Sequence, residues 1–122
     1  MEAKELRIGN YLIHDGYFIK SYSVDGFINI IKNISNYKPI PLTEEWLVKF
    51  GFVKDDDYDW YSICFFTDCK ELAEKMTISI NLKSYRCAML DNIDGDACYT
   101  SKIIKHVHKL QNLYFALTNE EL

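Results

Sequence analysis

The C-terminal stretch His106–Leu122 carries the pattern that most constrains the fold. Its apolar residues recur at the i, i+3, i+4, i+7 spacing of one helix face, and they are Val107, Leu110, Leu113, Tyr114 and Leu117. Asn119 follows the last of them, and asparagine tolerates the left-handed conformation that often ends a helix. The sequence therefore predicts an amphipathic C-terminal helix that the rest of the chain must cover.

A second, shorter helix is predicted in the middle of the chain. Thr43 is a suitable N-cap, and Leu42 and Leu47 stand at the two positions of a hydrophobic staple around it. Gly51 can take the left-handed position after the last turn, which allows Phe52 to fold back onto the helix as in a Schellman ending.

The N-terminal third is predicted to be β-structure. Three runs rich in β-forming residues, Leu6–His14, Tyr17–Val24 and Phe27–Ile34, are separated by the Asp-Gly pairs at 15–16 and 25–26. Asp-Gly between such runs is a strong signal for a tight hairpin turn. These residues predict a three-stranded antiparallel meander.

Further strands are predicted in the second half. Trp60–Phe66 is a continuous apolar run typical of a buried strand, and Met76–Leu82 alternates as a half-buried strand with one wet face does. Tyr85–Leu90 is the expected partner of the latter. Two readings of Ala97–Ile104 stay open, a final strand or an earlier start of the C-terminal helix, and we prefer the strand.

These elements predict the fold class α+β, with a mostly antiparallel sheet, a short middle helix and an amphipathic C-terminal helix. The chain of 122 residues fits a single domain over residues 1–122. Its 48% hydrophobic and 15% aromatic content favours a folded protein over a disordered one.

The charge balance bears on partners and on location. The net charge of −4 provides no general basic face for nucleic acid, although a local contact stays open. A local basic stretch could make such a contact, or could simply be a solvated face at a helix start. It comprises Lys102, Lys105, His106, His108 and Lys109. The start of the chain lacks a signal-peptide pattern and no run is apolar enough for a membrane span, so we expect a cytoplasmic protein without a membrane partner.

The residues favour no catalytic, metal or cofactor site. The turn Asp91–Asp96 fails the ligand pattern of a calcium-binding EF-hand loop, and no Cys-x-x-Cys pair is present. His106 and His108 would point apart if both stood on a helix. The four cysteines, Cys64, Cys69, Cys87 and Cys98, are expected to be reduced and buried. We therefore expect a protein that is not an enzyme and holds no metal or cofactor.

Besides the basic stretch, two further groups of residues are candidates for contacts with a partner. The first is an acidic turn that suits a basic partner, or else is simply solvated, and it comprises Asp55, Asp56, Asp57, Tyr58 and Asp59. The second is a set of aromatics that could stack on single-stranded nucleic acid, or else be half core and half exposed by alternation. It comprises Tyr17, Phe18, Tyr22 and Phe27, with Lys20 and Lys32 nearby.

Three stretches, Leu6–Tyr11, Tyr37–Phe52 and Val107–Thr118, together resemble a family of small uncharacterised proteins from phages and prophages of Bacteroidota. The resemblance spans the start, middle and end of the chain and is weakest over residues 54–104. It implies a mobile-element context and transfers no activity and no functional residue.

In that context we expect a non-catalytic protein–protein interaction module. The most specific hypothesis is an anti-defence, anti-CRISPR-like inhibitor that binds a host effector such as an RNA-guided nuclease, with the acidic turn competing for a channel built for phosphates. The alternative is a small RNA- or DNA-binding accessory protein, and an enzyme of unrecognised type ranks last. A homodimer is compatible with the sequence.

Overall fold

The computed structural model describes residues 1–55, 59–66, 75–91 and 97–122. Within these ranges the helices are α1 (Val24–Lys32), α2 (Glu44–Lys49) and α3 (Val107–Thr118), with turns of 3-10 helix at Ala3–Glu5 and Ile34–Asn36. The strands are β1 (Tyr11–His14), β2 (Tyr17–Lys20), β3 (Val53–Lys54), β4 (Trp60–Phe66), β5 (Lys75–Asn81), β6 (Arg86–Asp91) and β7 (Ala97–Ile103).

The C-terminal helix α3 confirms the prediction from its apolar spacing. Val107 and Leu110 are fully buried in the core, and Leu113 and Leu117 pack against it. Asn119 ends the helix in the left-handed conformation with φ of 57°, and its backbone N–H donates to the carbonyl of Phe115. This helix forms one wall of the core.

Strands β1 and β2 form the predicted first hairpin. Asp15 and Gly16 have φ values of 49° and 80°, the pair of positive angles that a type I′ turn requires. In the register of the hairpin Tyr11 pairs with Lys20 and Ile13 pairs with Phe18. Paired residues of two strands project to the same side of a sheet, so these four side chains share one face of the hairpin.

The third strand of the predicted meander is wrong, because residues 24–32 form the helix α1. The Ser23 hydroxyl caps this helix by accepting a hydrogen bond from the backbone N–H of Gly26. Gly26 therefore lies in the first helical turn instead of a hairpin turn. Phe27, Ile30 and Ile31 recur at helical spacing on the side turned from solvent, which explains why helix outcompetes strand here.

Helix α2 confirms both of its predicted ends. Gly51 has φ of 92°, and its N–H donates to the carbonyl of Val48. The N–H of Phe52 donates to the carbonyl of Leu47, which completes the Schellman pattern. Thr43 is the N-cap, although its side chain makes no capping hydrogen bond. Leu42 and Leu47, the staple residues, are both buried.

The remaining strands form one antiparallel sheet in the order β3-β4-β5-β6-β7. It confirms the strand reading of Ala97–Ile103. The expected wet face of β5 is wrong over residues 77–80, because Thr77 and Ser79 are buried as well as Ile78 and Ile80. The Ser79 hydroxyl lies 2.7 Å from that of Ser62 on β4, so its burial is compensated by a hydrogen bond.

The segment Ile40–Leu42 ties the two halves of the chain together. The N–H of Leu42 donates to the carbonyl of Lys105, and the N–H of Val107 donates to the carbonyl of Ile40. This short antiparallel pairing places α2 beside the start of α3, where Leu42, Leu47 and Leu110 share one core cluster. The architecture is α+β, as predicted. No helix in the described ranges has the length and apolarity needed to cross a lipid bilayer.

Candidate functional site

The hairpin and α2 together present a set of aromatic rings and lysines, which we call the aromatic surface. Phe18 and Tyr22 are the most open of its rings, with 61% and 82% of their area exposed. Tyr17 is also 75% exposed, but strand alternation directs it to the opposite face of the hairpin, with His14. The aromatic surface comprises Tyr11, Phe18, Lys20, Tyr22, Trp46, Lys49 and Phe50.

Ring contacts join the hairpin to α2. The ring centroid of Trp46 lies 5.1 Å from that of Tyr11, 5.2 Å from that of Phe18 and 5.6 Å from that of Phe50. The Phe18 ring meets Trp46 edge to face, at an interplanar angle of 70°. Because Trp46 is buried, it anchors the exposed Phe18 to the core and fixes its position.

Two lysines lie over these rings. The Lys20 ammonium is 5.0 Å from the centroid of Tyr11 and 5.5 Å from that of Tyr22. The Lys49 ammonium is 4.8 Å from the centroid of Tyr11 and 4.6 Å from that of Trp46. These distances are within the range of cation–π attraction. The surface is thus apolar and locally cationic on a chain of net charge −4.

A second concave feature lies between α3, the end of β7 and the N-terminal turn. Its volume is about 470 Å³, and its walls are the apolar side chains of Ile103, Ile104 and Leu113 with Lys4 and Lys109 at the polar side. Each of these lysines already has a partner, since Lys4 pairs with Glu2 at 3.1 Å and Lys109 with Glu5 at 3.4 Å. The groove therefore offers little unpaired charge to a ligand.

His108 lies next to Glu5, one of the residues that line this groove, in an unusual environment. It is 1% exposed, and neither ring nitrogen has a hydrogen-bond partner. The carboxylate of Glu5 lies 3.6 Å from Nε2, which is beyond hydrogen-bond distance but close enough to attract a proton. Burial, together with the charge of His106, lowers the pKa of His108 to about 4. The ring is therefore neutral near pH 7.

The relative placement of the two histidines differs from the expectation. His106 is the extended N-cap of α3, with φ of −127°, so only His108 belongs to the helix. The two rings stack with centroids 5.8 Å apart instead of pointing apart. Burial and the nearby charge of Lys109 also lower the pKa of His106. Among the described residues, no three His, Cys, Asp or Glu side chains are placed to hold a metal ion.

The acidic turn is only partly described. Asp55 is exposed, and its backbone N–H donates to the carbonyl of Trp60. Asp59 forms an ion pair with Lys83 at 3.0 Å, so its charge is already offset in the free protein. The other predicted contact residues of this turn, Asp56, Asp57 and Tyr58, lie outside the described residues.

The basic stretch does not form one accessible face. Lys105 is exposed, whereas Lys109 is committed to Glu5 and His108 is buried against direct contact with a partner. Lys102 lies in β7, and its side chain lies outside the described residues. Periodicity did not predict the burial of His108, because the apolar spacing of α3 does not include it.

The cysteines differ from one another. Cys87 is buried as expected, but the expectation for Cys64 is wrong, because its thiol is exposed on β4. The Cys64 sulfur lies 3.3 Å from the hydroxyl of Thr77 on the neighbouring strand. Cys69 lies outside the described residues, and so does the side chain of Cys98.

Sequence reasoning identified Phe18, Tyr22 and Lys20 as candidates for a binding surface but missed Trp46 and Lys49. These two residues stand on α2, whose apolar face was assigned to the core. The hairpin register could have paired Lys20 with Tyr11, but nothing local predicts that α2 packs beside them. No family model, curated protein or solved structure matches the chain.

Proposed function

We propose that this protein is a non-catalytic binding module and that the aromatic surface is its contact site for another protein. The observation that carries the proposal is the exposure of Phe18, which is anchored on the buried ring of Trp46, and of Tyr22, which is joined to the same hairpin through Lys20. Aromatic side chains are enriched at protein interfaces, where a rigid ring buries a large area at a small entropic cost.

The geometry supports this proposal in a second way. An interface needs a rigid apolar centre surrounded by groups that exclude water. The buried Trp46 contacts both Tyr11 and Phe18, and Lys20 and Lys49 lie over the Tyr11 ring. Truncation of a central aromatic residue in such an interface weakens binding by about 2 kcal/mol or more, about thirtyfold in Kd.

The specific form of the proposal follows from the resemblance to phage and prophage proteins. The partner is a host protein, and the protein acts as an anti-defence inhibitor of an effector that handles nucleic acid, such as an RNA-guided nuclease. The net charge of −4 and the exposed Asp55 support this form, because a phosphate-binding channel attracts acidic proteins.

The test is capture of host proteins by the tagged protein from a nuclease-treated bacterial lysate. Wild type is compared with the double variant Phe18→Ser/Tyr22→Ser and with Tyr17→Ser, a matched control on the opposite face of the same hairpin. We expect one stoichiometric partner that the double variant loses and Tyr17→Ser retains. The same partner on all three proteins would refute the aromatic surface as the contact site.

The inhibitor form needs its own assay, in which the captured effector is purified and its cleavage of nucleic acid is measured. We expect wild type to inhibit cleavage and the double variant to inhibit at least about thirtyfold less well. If the captured partner cleaved nucleic acid equally well with and without the protein, the proposal of a binding module would stand and the proposal of an inhibitor would be refuted.

A second candidate is an accessory protein that binds single-stranded RNA or DNA. The observation in its favour is the pair of lysines, Lys20 and Lys49, among rings on which bases could stack. Fluorescence anisotropy with a labelled single-stranded oligonucleotide at several salt concentrations tests it. Salt-sensitive binding that Phe18→Ser/Tyr22→Ser abolishes would support this function, and no binding at low salt would dismiss it.

A further inference from the structure

The lysines of the aromatic surface, Lys20 and Lys49, differ from the three lysines that form ion pairs in the described part of the chain. Lys4, Lys83 and Lys109 each have a carboxylate within 4 Å. In the described part of the chain, Lys20 and Lys49 have no such carboxylate, and their contacts are with ring faces. The carboxylate of Glu121 is held by Arg7 at 2.5 Å, and this hydrogen bond is the first cause of the lowered pKa of Glu121, with the charge of Lys20 acting in the same direction.

This arrangement limits what can cover the surface. A partner that buries Phe18 and Tyr22 also removes water from the two ammonium groups. Lys20 lies over Tyr22, and Lys49 lies over Trp46, whose ring contacts Phe18. A cation buried without a counter-charge is strongly unfavourable, so a purely apolar partner would lose much of the affinity gained from the rings. A carboxylate at each lysine would offset that penalty and add a charge-assisted hydrogen bond.

Both lysines lie over the same Tyr11 ring. One short segment of extended or helical chain can therefore reach both with carboxylates a few residues apart, while its apolar side chains pack on Phe18. A partner segment that matches this surface therefore needs only one or two acidic groups beside apolar or aromatic ones.

The charge of the chain decides between the two polymers that could supply those groups. Single-stranded nucleic acid brings one phosphate per nucleotide, and its affinity depends on neutralising several of them. The surface provides two unpaired lysines on a protein of net charge −4, which repels the remaining phosphates. A peptide segment can match two positive charges and add none beyond them.

We propose that the aromatic surface binds a short acidic segment of a partner protein, with carboxylates at Lys20 and Lys49 and apolar side chains on Phe18 and Tyr22. This inference rests on the proposed protein-binding function and names the chemistry of its partner. Charge provides the specificity, since the rings alone would accept many apolar segments.

The experiment is a selection of displayed random peptides on four forms of the full chain. These are wild type, the lysine variant Lys20→Gln/Lys49→Gln, the aromatic variant Phe18→Ser/Tyr22→Ser, and the control Lys32→Gln/Lys54→Gln, which changes two exposed lysines elsewhere. Circular dichroism confirms that each variant is folded. The best peptide is then synthesised with a fluorophore, and its Kd is measured by anisotropy.

We expect wild type and the control to enrich peptides in which Asp or Glu stands beside apolar residues. The lysine variant should bind the chosen peptide about tenfold more weakly, as the loss of two partly exposed ion pairs predicts. The aromatic variant should not bind it detectably.

The other outcomes separate the inference from the function on which it rests. Apolar peptides without carboxylates, bound equally by the lysine variant, would overturn the inference and leave a protein-binding site. Enrichment by wild type no better than by the aromatic variant would overturn both. If a labelled oligothymidylate bound more tightly than any peptide, the ligand of the aromatic surface would be nucleic acid and the inference would be refuted. Dimers in analytical ultracentrifugation that the aromatic variant loses would identify a second copy as the occupant.

Discussion

The side-chain carbonyl of Gln111 on α3 accepts a hydrogen bond of 2.9 Å from the backbone N–H of Tyr11, the first residue of β1. The amide nitrogen of Gln111 donates to the carbonyl of Gly9 at 2.9 Å, and Gln111 is fully buried. Its neighbour Asn112 donates to the carbonyl of Glu5 at 2.7 Å. Through these bonds the C-terminal helix positions the N-terminal segment and hence the hairpin that carries the aromatic surface.

Substitution Gln111→Leu should destabilise the protein by about 3 kcal/mol, because it leaves two buried backbone groups without hydrogen-bond partners. The free energy of unfolding, measured by chemical denaturation, tests this expectation. Lys32→Leu, at an exposed position of α1, is the control and should change stability by no more than about 0.5 kcal/mol. Equal effects of the two substitutions would contradict the assigned role of Gln111.

Ser23→Ala should destabilise the protein by about 1 kcal/mol, because the Ser23 hydroxyl caps α1. Ser35→Ala, at an exposed position outside the three α-helices, is the matched control and should have almost no effect. Thermal unfolding of both variants measures the difference. A strand over residues 24–32 would make the two substitutions equivalent, and that result would refute the helix.

The stability of the protein should fall as the pH decreases from 6.5 towards 4. The pKa of His108 is lowered from 6.5 to about 4 by burial, so the unfolded chain binds a proton in this window and the folded chain does not. Over this window the shift in the pKa of His108 corresponds to a loss of about 3 kcal/mol in the free energy of unfolding. The lowered pKa values of Glu121, caused first by the Arg7 hydrogen bond, and of Glu5 add to this loss only as the pH falls below 4.5, the ordinary value of such a carboxyl.

His108→Leu tests the contribution of this one ring to the pH dependence. The variant should lose much less stability between pH 6.5 and 4 than wild type, and it should be no less stable at pH 7.5, since both ring nitrogens lack partners. Denaturant unfolding at several pH values measures this. Ser35→Ala, which changes an exposed uncharged residue, is the control and should keep the wild-type slope. A wild-type slope in His108→Leu would exclude His108 as its source.

Within the aromatic surface, the buried ring of Trp46 should contribute to stability, whereas the exposed ring of Tyr22 should contribute to binding only. Trp46→Ala should destabilise the protein by about 3–5 kcal/mol, because Trp46 is buried and anchors Tyr11 and Phe18. Tyr22→Ser should change stability by no more than about 0.5 kcal/mol, since the ring is 82% exposed. Unfolding curves of both variants test this difference, and a large loss in Tyr22→Ser would show a structural role for that ring.

The sequence by itself determined the features whose causes are local. The turn at Asp15–Gly16, the glycine ending of α2 at Gly51 and the left-handed Asn119 after α3 each depend on the backbone preference of one or two residues. The apolar spacing of α3 and the strands β4 to β7 were predictable for the same reason, because periodicity is a property of the chain segment.

The second Asp-Gly pair, at residues 25–26, shows where prediction from local sequence failed. Residues 23–32 contain a hairpin turn signal and also an N-cap, Ser23, followed by apolar residues at helical spacing, and local preference does not rank the two. Packing decides in favour of the helix, which buries Ile30 and carries the capping bond of Ser23. Burial of an apolar face outweighs a turn preference of a few tenths to about 1 kcal/mol.

The candidate site was decided almost entirely by the tertiary structure. Alternation predicts that Tyr17 and Phe18 project to opposite faces of the hairpin, but only the position of α2 determines that Phe18 meets Trp46. In the same way, the burial of His108 and the placement of Lys49 over Tyr11 depend on contacts between residues distant in sequence. Such contacts are set by how whole elements pack, and no local pattern in the chain encodes them.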